Sequence, residues 1–221
     1  MPDPILFCWS GGKDSAMALH LLLQDKSFEV VGLLTTVTEG YERISMHGVR
    51  RELLEQQAQS IGLPLTQVRI PPKSNNAIYE TRMEAALRVQ LAKGVSQAAF
   101  GDIFLEDLRV YRETNLAKLN MTAVFPLWKK DTRTLAKYFQ AEKFQATAVC
   151  IDPKVLPESF AGRELDQSFF ADLPPGVDAC GENGEFHTFV HAGPIFKTAI
   201  PFQKGEVVHR DGFTFADLLP L

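Results

Sequence analysis

Apolar positions follow two alternating periods along this chain. Residues 5–9 form a short unbroken apolar run, after which Ala16, Leu19, Leu22 and Leu23 recur at helical spacing. Residues 28–36 are β-prone throughout and predict a second, buried strand. Residues 38–46 are polar, contain Gly40 and predict a loop at the carboxyl end of that strand. Val49, Leu53, Leu54, Ala58 and Ile61 then repeat as one face of a helix, which Gly62 and Pro64 close. Residues 65–70 predict a short strand, broken by Pro71 and Pro72. Asn75 or Asn76 can cap a helix carrying Ile78, Met83, Leu87 and Leu91, with Gly94 at its end. A strand is predicted at 97–100, a helix over 105–119 and a further strand at 123–125.

Strands alternating with helices in this way predict a parallel sheet with right-handed crossovers. From Lys129 the pattern changes. It reads as a helix between 132 and 143, a strand at 147–151 and a Pro/Gly-rich stretch over 153–184. Strands at 186–190 and 194–196 follow, then a hairpin over 207–215 that turns at Asp211-Gly212. The expected fold is α/β: a parallel five-stranded doubly wound sheet over residues 1–128, then a smaller α+β C-terminal domain over residues 129–221. No repeats or low-complexity tracts interrupt it.

Composition narrows the class. With 221 residues and 45% apolar content, the chain can bury a large core. A net charge of −4 argues against broad nucleic-acid binding. No stretch approaches ~20 uninterrupted apolar residues, so no membrane span is expected. No basic region precedes the first apolar run, so no signal peptide is expected and the expected location is cytoplasmic. Three cysteines, an odd and sparse set, fit a reducing compartment. No CxxC occurs and no Cys/His cluster has zinc spacing, so no metal-ligand set is assigned.

The candidate chemistry begins at Ser10-Gly11-Gly12-Lys13-Asp14-Ser15, a tight turn from the first strand into a helix. Two adjacent glycines allow positive φ and close backbone approach. The free N–H groups and dipole of a helix start favour an anion, and Ser10, Ser15 and Lys13 add donors and charge. The turn reads as a phosphate cradle, yet its spacing is neither the Walker nor the dinucleotide motif. Thr35, Thr36 and Gly101-Asp102 share the carboxyl edge of the sheet with it, where a ligand sits in such folds. Glu182, Asn183, Glu185 and His187 form the densest polar cluster of the C-terminal region, with Gly181 and Gly184 beside them. Carboxylates and a histidine there suit general-base work or ammonium capture, or else a capped turn entering a strand. Cys180, just before them, reads as a nucleophile or as a plain thiol. Glu106 and Arg109 are spaced to pair across one helical turn, or else Arg109 faces the phosphate instead.

Residues 10–15 resemble the PP-loop of the adenine-nucleotide α-hydrolases. Three further stretches sharpen the likeness: Gly101-Asp102-Ile103-Phe104-Leu105-Glu106-Asp107-Leu108-Arg109, Phe125-Pro126-Leu127-Trp128, and Cys180-Gly181-Glu182-Asn183-Gly184-Glu185-Phe186-His187-Thr188. Together they resemble the PP-loop ATP pyrophosphatase family that contains diphthine–ammonia ligase, over nearly the whole chain. The short chain, without the extra C-terminal domains of some eukaryotic members, resembles the archaeal or bacterial form.

The resemblance implies an amide ligase. ATP adenylates a carboxylate, AMP and pyrophosphate leave, and ammonia attacks. Its partners would be ATP, ammonia and a carboxylate acceptor, either the diphthine of elongation factor 2 or, in a bacterium, a small molecule such as a corrinoid acid. Neither membrane nor nucleic acid is expected as a partner, and a homo-oligomer is compatible. The implied cofactors are ATP and Mg²⁺, the ion being required by the triphosphate. Ser10, Gly11, Gly12, Lys13, Asp14, Ser15, Thr35, Thr36 and Gly101 would bind the nucleotide. Lys13, Asp14, Asp102, Glu182, Glu185 and His187 would carry the chemistry. Two alternatives stand beside this: a tRNA-modifying PP-loop enzyme and a non-catalytic adenine-nucleotide sensor.

Overall fold

The computed structural model describes residues 1–44 and 48–221. In chain order, β1 (Asp3–Cys8), α1 (Lys13–Gln24), β2 (Phe28–Thr38), β3 (Arg43–Ile44) and α2 (Arg51–Ile61) come first. β4 (Leu65–Ile70), α3 (Asn76–Leu91), β5 (Gln97–Ala99), α4 (Glu106–Ala117) and β6 (Thr122–Val124) complete the first half. Five strands run parallel in the order β4-β2-β1-β5-β6, and the two-residue β3 adds antiparallel to the far end of β2. The chain winds outward from β1 through β2 to β4, then returns to the other side of β1 as β5 and β6. The loop after β1 therefore lies at the topological switch point.

Helices cover both faces, as two apolar clusters record. Met17, Leu19, Leu53, Leu54 and Phe139 join Phe7 and Leu33 on one face. Leu87 and Leu116 join Leu6, Leu34 and Ala98 on the other. Successive residues of β1, Leu6 and Phe7, thus enter opposite cores, which is why that strand is apolar without alternation. The doubly wound five-stranded sheet is as the sequence predicts.

The second half holds α5 (Thr132–Ala141), β7 (Gln145–Ile151), a 3₁₀ turn (Glu158–Phe160), α6 (Gln167–Asp172), β8 (Phe186–Ala192), β9 (Phe202–Arg210) and β10 (Phe213–Pro220). Its four strands form an antiparallel sheet in the order β8-β7-β10-β9. Asp211 (φ 52) and Gly212 (φ 84) turn the β9–β10 hairpin, both left-handed as a two-residue turn requires. Phe186, Phe189 and Val190 of this sheet share one buried cluster with Phe7 and Trp9 of the first, so a single core spans both sheets.

The structure departs from the sequence reading in four places. β2 runs on to Thr38 and the predicted loop contains β3, because β4 continues pairing along Thr35–Thr38 beyond the end of β1. The remainder of that loop, residues 45–46, lies outside the described residues. Residues 194–196 form a turn closed by Phe196 N–H onto the Gly193 carbonyl (3.1 Å), with no strand partner. The stretch 153–184 contains α6, whose signal was present: Asp166 caps it by accepting from Phe169 N–H at 2.8 Å. Glu106 and Arg109 do not pair; Glu106 meets Lys129 (2.9 Å) and Arg109 meets Glu113 (2.8 Å).

Candidate active site

The phosphate-loop turn is held from two sides. Gly11 adopts φ +80, and its carbonyl accepts from Val190 N–H (2.9 Å) and from the Gln57 side-chain amide (3.0 Å). Gln57 also donates to the Val190 carbonyl (2.6 Å) and accepts from the Trp9 indole (3.0 Å). One fully buried amide on α2 thereby ties the end of β1, the loop and β8 together. The sequence reading missed it, although the signal was there: Gln57 is a polar residue inside the apolar stripe Leu53, Leu54, Ala58, Ile61. Buried polar side chains of this kind must be hydrogen-bonded.

Gly12 is the N-cap of α1 and has no side chain of its own to cap the helix. Lys13 N–H donates to Thr188 Oγ1 (2.9 Å), and the Ser10 and Ser15 hydroxyls lie 3.0 Å apart across the turn. Gly101 packs directly on this helix start. A Cβ there would stand 2.8 Å from the Ser15 backbone nitrogen, so only glycine lets β5 and α1 meet.

Lys13 is 3% exposed. It donates to Asp14 Oδ2 (2.8 Å) and the Cys180 carbonyl, and sits 5.2 Å from the Phe186 ring centre. Burial alone would lower its pKa, yet the charges of Asp14 and Glu182 hold it above the ordinary lysine value. Asp14 Oδ1 is buried without a hydrogen-bond partner, and burial outweighs Lys13 in raising that carboxyl's pKa. Burial, then the charge of Asp14, pushes Glu182 up to about 7, against the pull of Lys13 and of a hydrogen bond from the Phe104 backbone. Lys13, Asp14 and Glu182 are therefore one electrostatic unit, with Asp102 as a further neighbour.

The other assigned residues divide. Asp102 accepts both nitrogens of Arg112 (2.5 and 3.1 Å), and Arg112 lies on Phe100, so its carboxylate is already paired. Thr35 is buried with its hydroxyl unpartnered. The Leu34 carbonyl accepts from Trp9 N–H (2.7 Å), so strand alternation turns the Thr36 backbone the same way, past the end of β1. Glu185 is 6% exposed and spends its carboxylate on Asp178 N–H, Asn183 N–H and the Asn183 amide, all at 2.9 Å. It fastens the 178–185 loop. Asp178 completes that fastening by accepting from Cys180 N–H (2.8 Å) and the Thr132 hydroxyl (2.6 Å). His187 points away. Alternation along β8 sends Phe186 and Thr188 to Lys13 and puts His187 beside Cys150 and Phe215, in a separate cavity. Cys180 is 2% exposed and burial pushes its thiol far up, so it stays protonated and is no nucleophile.

Among the described residues, no group of three or more His, Cys, Asp or Glu is placed to hold a metal, and no helix is long and apolar enough to cross a membrane.

A phosphate cradle at the switch point of a parallel sheet, clasped by a strand of a second sheet, is the arrangement of a PP-loop protein. Residues 5–121 match the diphthamide synthase N-terminal domain and residues 131–217 the diphthamide synthase C-terminal domain; the chain belongs to the diphthamide synthase family. It is similar to the diphthine–ammonia ligase of Bos taurus, 27% identical over 80% of this chain and 70% of that one. The Homo sapiens diphthine–ammonia ligase is 26% identical over the same shares, and that of Danio rerio 25% over 91% and 88%. A solved predicted subunit of tRNA methyltransferase from Methanocaldococcus jannaschii covers 72% of this chain and 84% of its own, at 19% identity and a TM-score of 0.41. That likeness is too loose to bear on function.

Proposed function

We propose that the protein is an ATP-dependent amide ligase that forms AMP and pyrophosphate, adenylating a carboxylate and joining it to ammonia. One observation carries this beyond family membership: a buried lysine and a carboxyl poised near neutrality meet at the helix start that follows the glycine turn.

In this reading Ser10, Gly11, Gly12 and Ser15 bind the β and γ phosphates. Gly101, Thr35 and Thr36 border the nucleotide. Lys13 leaves the Cys180 carbonyl and turns to the phosphates, where it neutralises the charge that develops as pyrophosphate departs. Asp14 fits Mg²⁺ because Oδ1 is buried and unpartnered. The ion would supply charge neutralisation of the triphosphate. Glu182, ionised only above about pH 7, accepts a proton from ammonium and delivers the amine as a nucleophile. Asp102, held by Arg112, positions the edge of the crevice.

The names of the relatives support the diphthine carboxylate as acceptor, with a small-molecule carboxylate as the other source. All three cysteines are free thiols, which supports a reducing, cytoplasmic setting. The test is product analysis. The protein is incubated with Mg-ATP, an ammonium salt and a panel of acids, including diphthine-bearing elongation factor and corrinoid acids. The reading requires AMP and pyrophosphate in step with acid and ammonia, and ADP with phosphate would sink it.

A further inference from the structure

Gly12, the N-cap of α1, offers no side-chain oxygen to the helix start. The oxygen found there comes from the second sheet. Thr188 on β8 accepts from Lys13 N–H through Oγ1 at 2.9 Å, across 175 positions of the chain. Lys13 is the first residue of α1, so Thr188 stands where an anion at this turn would meet the helix.

A threonine hydroxyl has one hydrogen to donate and two lone pairs with which to accept. The Lys13 amide uses one lone pair. Thr188 is 2% exposed, and among the described residues no hydrogen bond takes its hydroxyl hydrogen. Buried donors in native folds are paired with acceptors. A phosphate oxygen at the helix start would supply one.

β8 holds this hydroxyl in place. Thr188 stands opposite Ala148 in the ladder with β7. Alternation puts Phe186, Thr188 and Val190 on one face of the strand, and each meets the loop or its lysine. The Phe186 ring centre lies 5.2 Å from Lys13 Nζ, and Val190 N–H donates to the Gly11 carbonyl at 2.9 Å. Gln57 fixes Val190 in turn by donating to its carbonyl (2.6 Å). The hydroxyl therefore serves a ligand without rearrangement of the strand.

We propose that Thr188 is a phosphate-binding residue: its hydroxyl donates to an oxygen of the phosphate held at the start of α1, while Oγ1 keeps the Lys13 N–H. The phosphate site is then shared between the two sheets, and its second half lies on the strand that follows the loop bearing Glu182. This rests on the reading of the glycine turn as a phosphate cradle.

The experiment is calorimetric titration of inorganic pyrophosphate, with magnesium present, into the full chain and its variants. Thr188→Val removes the hydroxyl at nearly constant shape and should weaken binding about tenfold or more, the loss of one hydrogen bond to a charged group. Thr188→Ser keeps the hydroxyl and should stay within about threefold of the parent. A Thr188 that merely occupies the Lys13 amide makes the opposite prediction: the valine variant frees that amide for the anion and binds pyrophosphate as well or more tightly. That result would overturn the proposal, as would a loss in the serine variant equal to that in the valine variant. Circular dichroism checks that each variant is folded. If the valine variant is not, Thr188→Cys takes its place with the same expected loss, because a thiol is a weak donor. No binding of pyrophosphate to the unaltered protein up to about 10 mM would contradict the cradle reading itself, whereas binding that the variants leave unchanged removes Thr188 alone.

Discussion

The side-chain amide of Gln57 donates to the carbonyl of Gly11 at 3.0 Å, joining a helix of the first sheet to the glycine turn ahead of α1. The same amide holds Val190 and Trp9, so the shape of the loop depends on a residue that faces no ligand.

Gln57→Ala should therefore destabilise the fold by about 2–4 kcal/mol, since it strands the buried Trp9 indole and Val190 carbonyl. Urea denaturation measures this. A loss under about 0.5 kcal/mol, the size of an ordinary surface change, would contradict the central role given to the amide.

Gly101→Ala should abolish nucleotide binding and cost about 1–3 kcal/mol of stability. The new Cβ would meet backbone, 2.8 Å from Ser15 N, and backbone cannot rotate away. Gly94→Ala is the control for a strained glycine position without a clash, because Gly94 has φ +88 but no atom within 4 Å of its Cβ position. Calorimetry with an ATP analogue separates the two.

Glu182 predicts opposite signs for stability and activity. Its pKa is raised on folding from 4.5 to about 7, so the folded state favours the neutral acid. The stability this contributes is complete below pH 4.5 and is lost as pH rises through about 7. Glu182→Gln should thus be more stable than the parent at pH 8, with the difference vanishing below pH 4.5. Amide formation should fall as pH drops through about 7 at constant free ammonia, and the variant should lose that limb. A variant with the parent's pH–rate profile would remove Glu182 from the proton path.

Cys180→Ala should keep AMP formation within about twofold, because a buried, protonated thiol stabilises no transition state. The native protein should also resist iodoacetamide at this position, as mass spectrometry would record. Loss of turnover with retained folding would restore a covalent role.

Much of the first sheet was legible in the sequence, for a physical reason. Parallel strands buried on both faces are unbroken apolar runs, and amphipathic helices between them keep a 3.6-residue period. The phosphate loop was legible because adjacent glycines before a helix leave few alternatives. The C-terminal cluster was legible only as composition. Periodicity of two decides that Phe186 and Thr188 face Lys13 while His187 does not, and that follows only once the position of β8 against α1 is known. Glu185 looked catalytic because a carboxylate beside glycines resembles a base; its three hydrogen bonds within the loop depend on tertiary turns around Asp178. Gln57 was hidden because its partners are 46, 48 and 133 positions away.

The most direct test of the central claim is isotope transfer. The acid that stimulates turnover is labelled with ¹⁸O in its carboxylate, and the nucleotide product is analysed by mass spectrometry. Adenylation puts one labelled oxygen into AMP as ammonia displaces it, and Lys13→Ala should slow that transfer about a hundredfold or more. Label in inorganic phosphate, or AMP formed without label, would contradict attack of the carboxylate on the α phosphate.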